Sequence, residues 1–300
     1  MSRQFQGYIY LSLAMALVGS TVIASKVIAS GLPPFTATAL RFALAFPLFL
    51  LLMRATATAC PRQQRRDWLI LFIQAGAGSV GYTTLLISGL RLTSAADAGV
   101  IIGTLPIVSA VIAIVVLGER PDRSILLAIT LAAGGVLSIV FRASAGGAHS
   151  LLGNTLVFGA VICEGLFILI NKRLTTATSP LALSTLMAGL GVAVSAPIAL
   201  LEFPQAAAVT TQSIIAVAYY ALVPTVGGFL LWYAGLARVS GTEASVFTAI
   251  APVSAVLLAS VMLGEPISAN QLIGIACVLA AVLSLGLRLP SAHRNRSEAG

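Results

Sequence analysis

Ten apolar stretches follow one another along the chain, parted by short polar or turn-rich segments. They cover roughly 7–29, 34–53, 68–90, 94–117, 122–141, 151–172, 180–201, 212–236, 242–263 and 267–288. About 20 helical residues span about 30 Å of hydrocarbon, so each stretch predicts a transmembrane helix. The fold class expected is an all-α polytopic membrane protein with ten spans. Turn residues mark the boundaries at Gly31-Leu32-Pro33-Pro34, Gly118-Glu119-Arg120-Pro121, Gly146-Gly147, Ser179-Pro180 and Gly264-Glu265-Pro266. The longest polar interval, 54–67, is too short to hold an inserted soluble domain. Met1-Ser2-Arg3 before an apolar run imitates a signal peptide. The run from Gly7 to about Ser25 is longer than a signal core, however, and it reads as a retained first helix.

Composition makes the bilayer the solvent. Hydrophobic residues make up 58% of the chain, charged residues only 9%, and mean hydropathy is +1.02. A soluble domain is about a quarter charged and has no core large enough for this much apolar surface. The formal net charge of +8 fits cytoplasmic loops facing anionic lipid, not nucleic acid, because no basic patch interleaved with aromatics exists. With the N-terminus inside, the cytoplasmic segments hold Arg3, Arg54, Arg62, Arg65, Arg66, Arg120, Arg123, Lys172, Arg173, Arg238, Arg288, Arg294 and Arg296. Lys26, Arg41, Arg91 and Arg142 are left outside, which divides the 17 basic residues as 13 against 4. That asymmetry places both termini in the cytoplasm and the chain in the inner (plasma) membrane as a multi-pass protein.

The two halves repeat each other. Gly7 pairs with Gly153, Gly19 with Gly165, Lys26 with Lys172, Pro34 with Pro180, Gly89 with Gly235, Pro106 with Pro252, and Glu119 with Glu265. The offset stays at 146 (153 − 7, 252 − 106 and 265 − 119 agree). Residues 1–146 therefore form one five-helix repeat, and residues 147–300 a second with a short cytoplasmic tail. An odd number of spans per repeat turns the second upside down, the inverted duplication of secondary transporters that rock around a central site.

Few residues carry candidate chemistry. Glu164 falls near the midplane of the sixth span, where a carboxylate costs at least about 2.5–3.5 kcal/mol. It reads as a substrate-ammonium contact or proton site, or else as a protonated carboxyl bonded between helices. Gln74, Gly78 and Tyr82 recur every four residues and share a helix face, as a polar stripe or as tight small-residue packing. In span eight Tyr220 shares a face with Pro224, whose missing N–H weakens the helix at a gate or site-lining bend. Trp232 belongs to the cavity or to an interfacial aromatic belt. Phe167 and Phe247 are candidates for an apolar pocket, with packing as the alternative. Pro106 and Pro252 are matched helix breakers that point to a midplane site. Lys26 and Arg41, near the outer boundary, read as snorkelling side chains, with carboxylate binding as the alternative. Asp97 and Glu243 read as helix caps, and Glu119 and Glu265 as hairpin-ordering groups. Cys60, Cys163 and Cys277 lack metal or disulfide spacing, and His149 and His293 fall in polar connections. No catalytic role, cofactor or metal is expected. A phosphate-binding G-x-x-x-x-G-K-[ST], an H-E-x-x-H and a G-x-S-x-G are all missing.

Ser25-Lys26-Val27-Ile28 leading to Pro34, with Ala39-Leu40-Arg41-Phe42 after it, resembles the first hairpin of drug/metabolite transporters. Leu117-Gly118-Glu119-Arg120-Pro121 and Leu263-Gly264-Glu265-Pro266 add to the likeness. Two five-span halves resemble the EamA-type architecture of that superfamily, and the chain is most similar to the YddG-type exporters of aromatic and other amino acids. The resemblance implies a cavity between helices 1, 3, 4, 6, 8 and 9. Alternating access around it is expected, by a monomer whose partners are an amino-acid-like substrate and the lipid bilayer, although small-residue faces serve packing between protomers as readily as within one. The alternative it implies is efflux of hydrophobic drugs or lipid-linked compounds. The second half departs from the pattern, with Met187 at the position equivalent to Arg41.

Overall fold

Apolar runs with no period-two alternation leave the backbone one way to satisfy its polar groups inside lipid, which is helix. All regular structure among the described residues is helical. The computed structural model describes residues 3–59, 61–93, 98, 101–121, 123–140, 150–202, 209–263 and 269–286. Cys60, Asp97, Gly99, Arg142, Gly146, Gly147, both histidines, Gly264, Glu265, Pro266 and the three C-terminal arginines lie outside them. The helices are α1 (Arg3–Ala29), α2 (Pro34–Ala55), α3 (Arg65–Leu92), α4 (Leu105–Leu117), α5 (Arg123–Val140) and α6 (Leu151–Leu169). Then follow α7 (Pro180–Glu202), α8 (Thr211–Leu236), α9 (Gly241–Phe247), α10 (Ile250–Leu263) and α11 (Ala269–Gly286).

Six of these, α1, α2, α3, α6, α7 and α8, are long and apolar enough to cross a membrane. The spans expected over 94–117 and 242–263 are interrupted. Helix restarts at Leu105 after Thr104, and α9 ends at Phe247 shortly before α10 begins. Pro106 is therefore not a mid-helix kink. It sits in the first turn of α4, where its missing N–H leaves no hydrogen bond unmade. Pro252 has the matched place near the start of α10. Glycine in the left-handed region, Gly118 at φ +72°, closes α4. Leu51, Leu127, Leu200 and Val261 are exposed, an outer surface suited to lipid tails.

Packing crosses between the halves. Helix α1 lies along α8 and α10, and its counterpart α6 lies along α3 and α4. Helix α2 packs on α7, and α5 on α11. The repeated glycines sit at these crossings. A Cβ on Gly7 would meet Arg238 and Val239 at 2.9 Å, and one on Gly153 would meet Thr93 at 2.8 Å. Their partners behave alike: Gly235 faces Leu11 at 2.8 Å and Gly89 faces Val157 at 2.7 Å. Close backbone approach through small residues is how helices associate in lipid, where apolar burial gives no net drive.

Charged side chains tie the basic end together. Asp67, fully buried in the first turn of α3, accepts from the backbone N–H of Thr175 (3.1 Å) and Thr176 (2.9 Å) and from the Thr176 hydroxyl (2.7 Å). Glu119 accepts from Gly241 N and Thr242 N, each at 2.8 Å, so it orders its own hairpin against the start of α9. Glu243 completes a capping box with Ser240 and also accepts from Tyr8 (2.6 Å) and Gln4 (2.7 Å). Each anion therefore sits at a helix start, where the dipole favours it.

Both long third helices contain a π-turn, at Gln74–Gly81 in α3 and Ala221–Gly227 in α8. These coincide at the repeat offset (227 − 81 = 146). In α8 the cause is Pro224, which has no N–H to give to the Tyr220 carbonyl. The Thr225 hydroxyl donates to that oxygen instead, at 2.9 Å. Thr225→Val keeps the backbone bond of the π-turn but removes this second, buried hydrogen bond, and is expected to cost about 0.5–1.5 kcal/mol. A thermal melt in detergent should show the loss, and an unchanged midpoint would mean the carbonyl finds another donor.

Candidate functional site

The π-turns open onto a narrow cavity with about 470 Å³ of atom-free space, counted with its mouth. Five helices line it. Helix α1 contributes Thr21, α2 contributes Arg41, α3 contributes Ser79 and Tyr82, and α6 contributes Glu164 and Phe167. Helix α8 adds Tyr220, Pro224, Phe229 and Trp232. Opposite formal charges thus share a space whose walls include five aromatic rings.

Arg41 is only 4% exposed and donates to the Ser79 hydroxyl at 3.3 Å. Its guanidinium lies 4.1 Å from the Phe42 ring centroid and 4.6 Å from that of Tyr220. Its Nε has no hydrogen-bond partner among the described residues. Cation–π contact stabilises the buried charge without consuming its in-plane donors, which stay available for a carboxylate. Glu164 is 6% exposed, and no hydrogen bond from the described residues reaches its carboxylate. Burial without a fixed donor leaves that group dependent on cavity water, a ligand cation or a proton.

The candidate residues divide. Glu164, Tyr82, Tyr220, Trp232, Phe167 and Pro224 all border the cavity. Trp232 is buried, with its Nε1 donating to Ile168 O at 3.2 Å, so it does not join an interfacial belt. Gln74 and Gly78 do not border the cavity. Gln74 Nε2 donates to the Phe167 carbonyl at 2.6 Å, and a Cβ on Gly78 would lie 2.7 Å from Phe167 Cβ. Both are occupied in joining α3 to α6. Phe247 is fully buried and stacks on Tyr8 at 5.0 Å, serving the α1–α9 contact instead of a pocket. Pro106 and Pro252 shape the interrupted spans without bordering the cavity.

Arg41 corrects the snorkelling assignment. Seven residues into α2 it is already about 10 Å below the helix start, and its arm turns inward onto Tyr220. Lys26, by contrast, is exposed. The sign that points to Arg41 is its asymmetry, since the duplication puts Met187 at the matching position. The second helix therefore joins the cavity wall, while the described parts of spans four and nine stay outside it.

A lipid-facing helical bundle around a charged, aromatic-walled cavity defines a multi-pass membrane protein of the transporter class. Similarity carries this further. The EamA-like transporter family model matches residues 5–141 and again 151–287, and the chain belongs to the EamA-like transporter family. It is a membrane transporter and not an enzyme. It is 34% identical over 285 residues to the "Uncharacterized transporter YetK" of Bacillus subtilis, covering 93% of this chain and 86% of that one. "Uncharacterized transporter YyaM" of the same organism is 25% identical over 97% of this chain and 98% of its own length. "Uncharacterized transporter YdeK", also from that organism, is 27% identical over 94% and 98%. One solved crystal structure shares the fold with a TM-score of 0.76 at 20% identity, covering 95% of this chain and 99% of the other.

Proposed function

We propose that this transporter exports small zwitterionic metabolites, amino acids above all, across the inner membrane by alternating access. The supporting observation is that Arg41 and Glu164 share one cavity without a hydrogen bond between them. A carboxylate suits the planar donors of Arg41, and an ammonium suits Glu164. Tyr82, Phe167, Tyr220, Phe229 and Trp232 offer aromatic or large apolar side chains their stacking surface. In this reading residues 1–146 and 147–300 are inverted repeats, both termini are cytoplasmic, and one chain is the transporting unit. An exporter of the YddG type fits this cavity.

Efflux of hydrophobic cations would use Glu164 and the rings equally well. Arg41 argues against it, because a second cation beside a buried guanidinium meets repulsion in low dielectric. Counterflow in proteoliposomes separates the two. Exchange of aromatic amino acids with no effect of cationic dyes supports the proposal, and dye transport with amino acids inert refutes it. Imposing a pH gradient tests proton coupling. If Glu164 carries the proton, Glu164→Gln should flatten the pH dependence of flux, and an unaltered profile removes Glu164 from that role.

A further inference from the structure

A second cavity opens at the basic end of the bundle, with about 660 Å³ of atom-free space including its mouth. Lys172, Thr176, Leu183, Tyr233 and Leu236 are among its walls, and among the described residues Lys172 is the one charged group lining it. The Lys172 ammonium donates to Val239 O at 2.5 Å, which leaves two further N–H groups. Only one layer parts this vestibule from the central cavity. Phe167 and Phe229 border the cavity, Tyr233 borders the vestibule, and the three rings pack together. Centroids are 5.0 Å apart for Phe167 and Phe229, and 6.1 Å from each to Tyr233. Along α8, Phe229 to Tyr233 is a single turn of about 6 Å.

The opposite end is closed differently. A pocket around Arg91 and Glu202 lies there, but a plug of Ile28, Leu32, Ile87, Val217 and Tyr220 stands between it and the central space. From Tyr82 to Arg91 is nine residues, about 13 Å of helix. The barrier toward the basic end is thus about half as thick, and it is made of side chains that can swing without moving a helix. Its Tyr233 hydroxyl is buried with no hydrogen-bond partner among the described residues. A phenol left unpaired is costly in place and is relieved by rotating toward the vestibule, which opens to solvent and holds Lys172.

We propose that Phe167, Phe229 and Tyr233 are the gate between the central cavity and an entry vestibule, and that Lys172 receives the carboxylate end of the incoming solute there. The inference rests on the transport reading above, and it assigns the place where a solute leaves the cytoplasm. Solute arrives at Lys172, the Tyr233 ring turns aside, and the carboxylate passes inward to Arg41.

Cysteine labelling tests this without a known substrate. Val18, which borders the central cavity, becomes the reporter as Val18→Cys in the full chain carrying Cys60→Ser, Cys163→Ser and Cys277→Ser. Membrane vesicles of each orientation are treated with negatively charged and neutral methanethiosulfonates. Tyr233→Ala is expected to speed labelling from the basic face about tenfold, since it removes one of the packed rings. Tyr233→Phe keeps the ring and removes the hydroxyl that favours turning aside, so it should label no faster than the parent. Lys172→Gln, made in the Tyr233→Ala protein, should slow the anionic reagent severalfold and leave the neutral one alone. Phe229→Ala replaces Tyr233→Ala if the latter does not reach the membrane. Equal labelling in parent and ring-deleted proteins overturns the gate, and an anionic rate indifferent to Lys172 overturns the entry site. A failed gate with amino-acid exchange intact leaves the transport reading standing. A working gate with no amino-acid exchange removes the substrate reading alone.

Discussion

Glu164→Gln is expected to cut exchange of a zwitterionic substrate by roughly 30-fold to 3,000-fold while leaving the bundle folded. Truncating one partner of a desolvated charge contact costs about 2–5 kcal/mol, and about 1.4 kcal/mol is a factor of ten. Stability should change little, because two effects oppose. The amide relieves the desolvation of a buried carboxylate, yet Arg41 loses a favourable opposite charge in its own cavity. Arg41 keeps Ser79 and the two rings in either case. The companion change, Arg41→Gln, should fail to the same degree but with reversed selectivity. With Glu164 neutralised, the site should favour monocarboxylates over amines. With Arg41 neutralised, it should favour amines over acids. Competition of each class against the zwitterion, measured in proteoliposomes beside a melting curve, provides the check. Parental rates in both variants, or one common shift in selectivity, would dismiss the pair as the binding site.

Gly78→Val should be among the most damaging glycine substitutions in the membrane region. A Cβ there would stand 2.7 Å from Phe167 Cβ, 2.8 Å from Phe167 Cα and 3.0 Å from Phe167 N. Two of those three atoms are backbone, so no rotamer change relieves the clash and α3 must move away from α6. Overpacking ordinarily costs about 1–3 kcal/mol, and this site should meet or exceed the upper figure. The shift would also break the 2.6 Å bond from Gln74 to the Phe167 carbonyl. Folded yield and melting midpoint should therefore collapse together. Gly134→Ala provides the contrast. Nothing lies within 4 Å of a Cβ added there, and alanine is favoured over glycine in a helix by about 0.8–1.0 kcal/mol. Gly134→Ala should leave the protein as stable or slightly more so, and a Gly78→Val protein as stable as Gly134→Ala would disprove the close crossing.

The same glycine shows how far a linear reading reaches. Gly78 falls on a four-residue stripe with Gln74 and Tyr82, and that spacing does bring all three toward α6. It cannot tell which of them meets a backbone and which meets open space. Tyr82 reaches the cavity because its side chain is long, while Gln74 ends on the Phe167 carbonyl. The Glu243 cap was legible because a cap is a local event. Ser240 and Glu243 satisfy each other within one turn. Glu119, by contrast, reaches Gly241 and Thr242 more than a hundred residues away. The π-turns had only half a signal. Pro224 announces a fault in α8, but the answering Thr225 hydroxyl and the matched turn in glycine-rich α3 emerge only from the three-dimensional path.

Hydropathy and the 146-residue offset were enough to establish a membrane bundle, its duplication and the presence of a costly mid-depth carboxylate, since each depends on the cost of placing a group in lipid or on positions along one chain. The partner of that carboxylate required folding. Arg41 meets the cavity because α2 packs where its guanidinium lies over the Tyr220 ring of α8, and Phe167, Phe229 and Tyr233 meet because α6 and α8 converge. Such contacts arise between helices far apart in sequence, and the lateral packing that sets them leaves no period in the residues themselves.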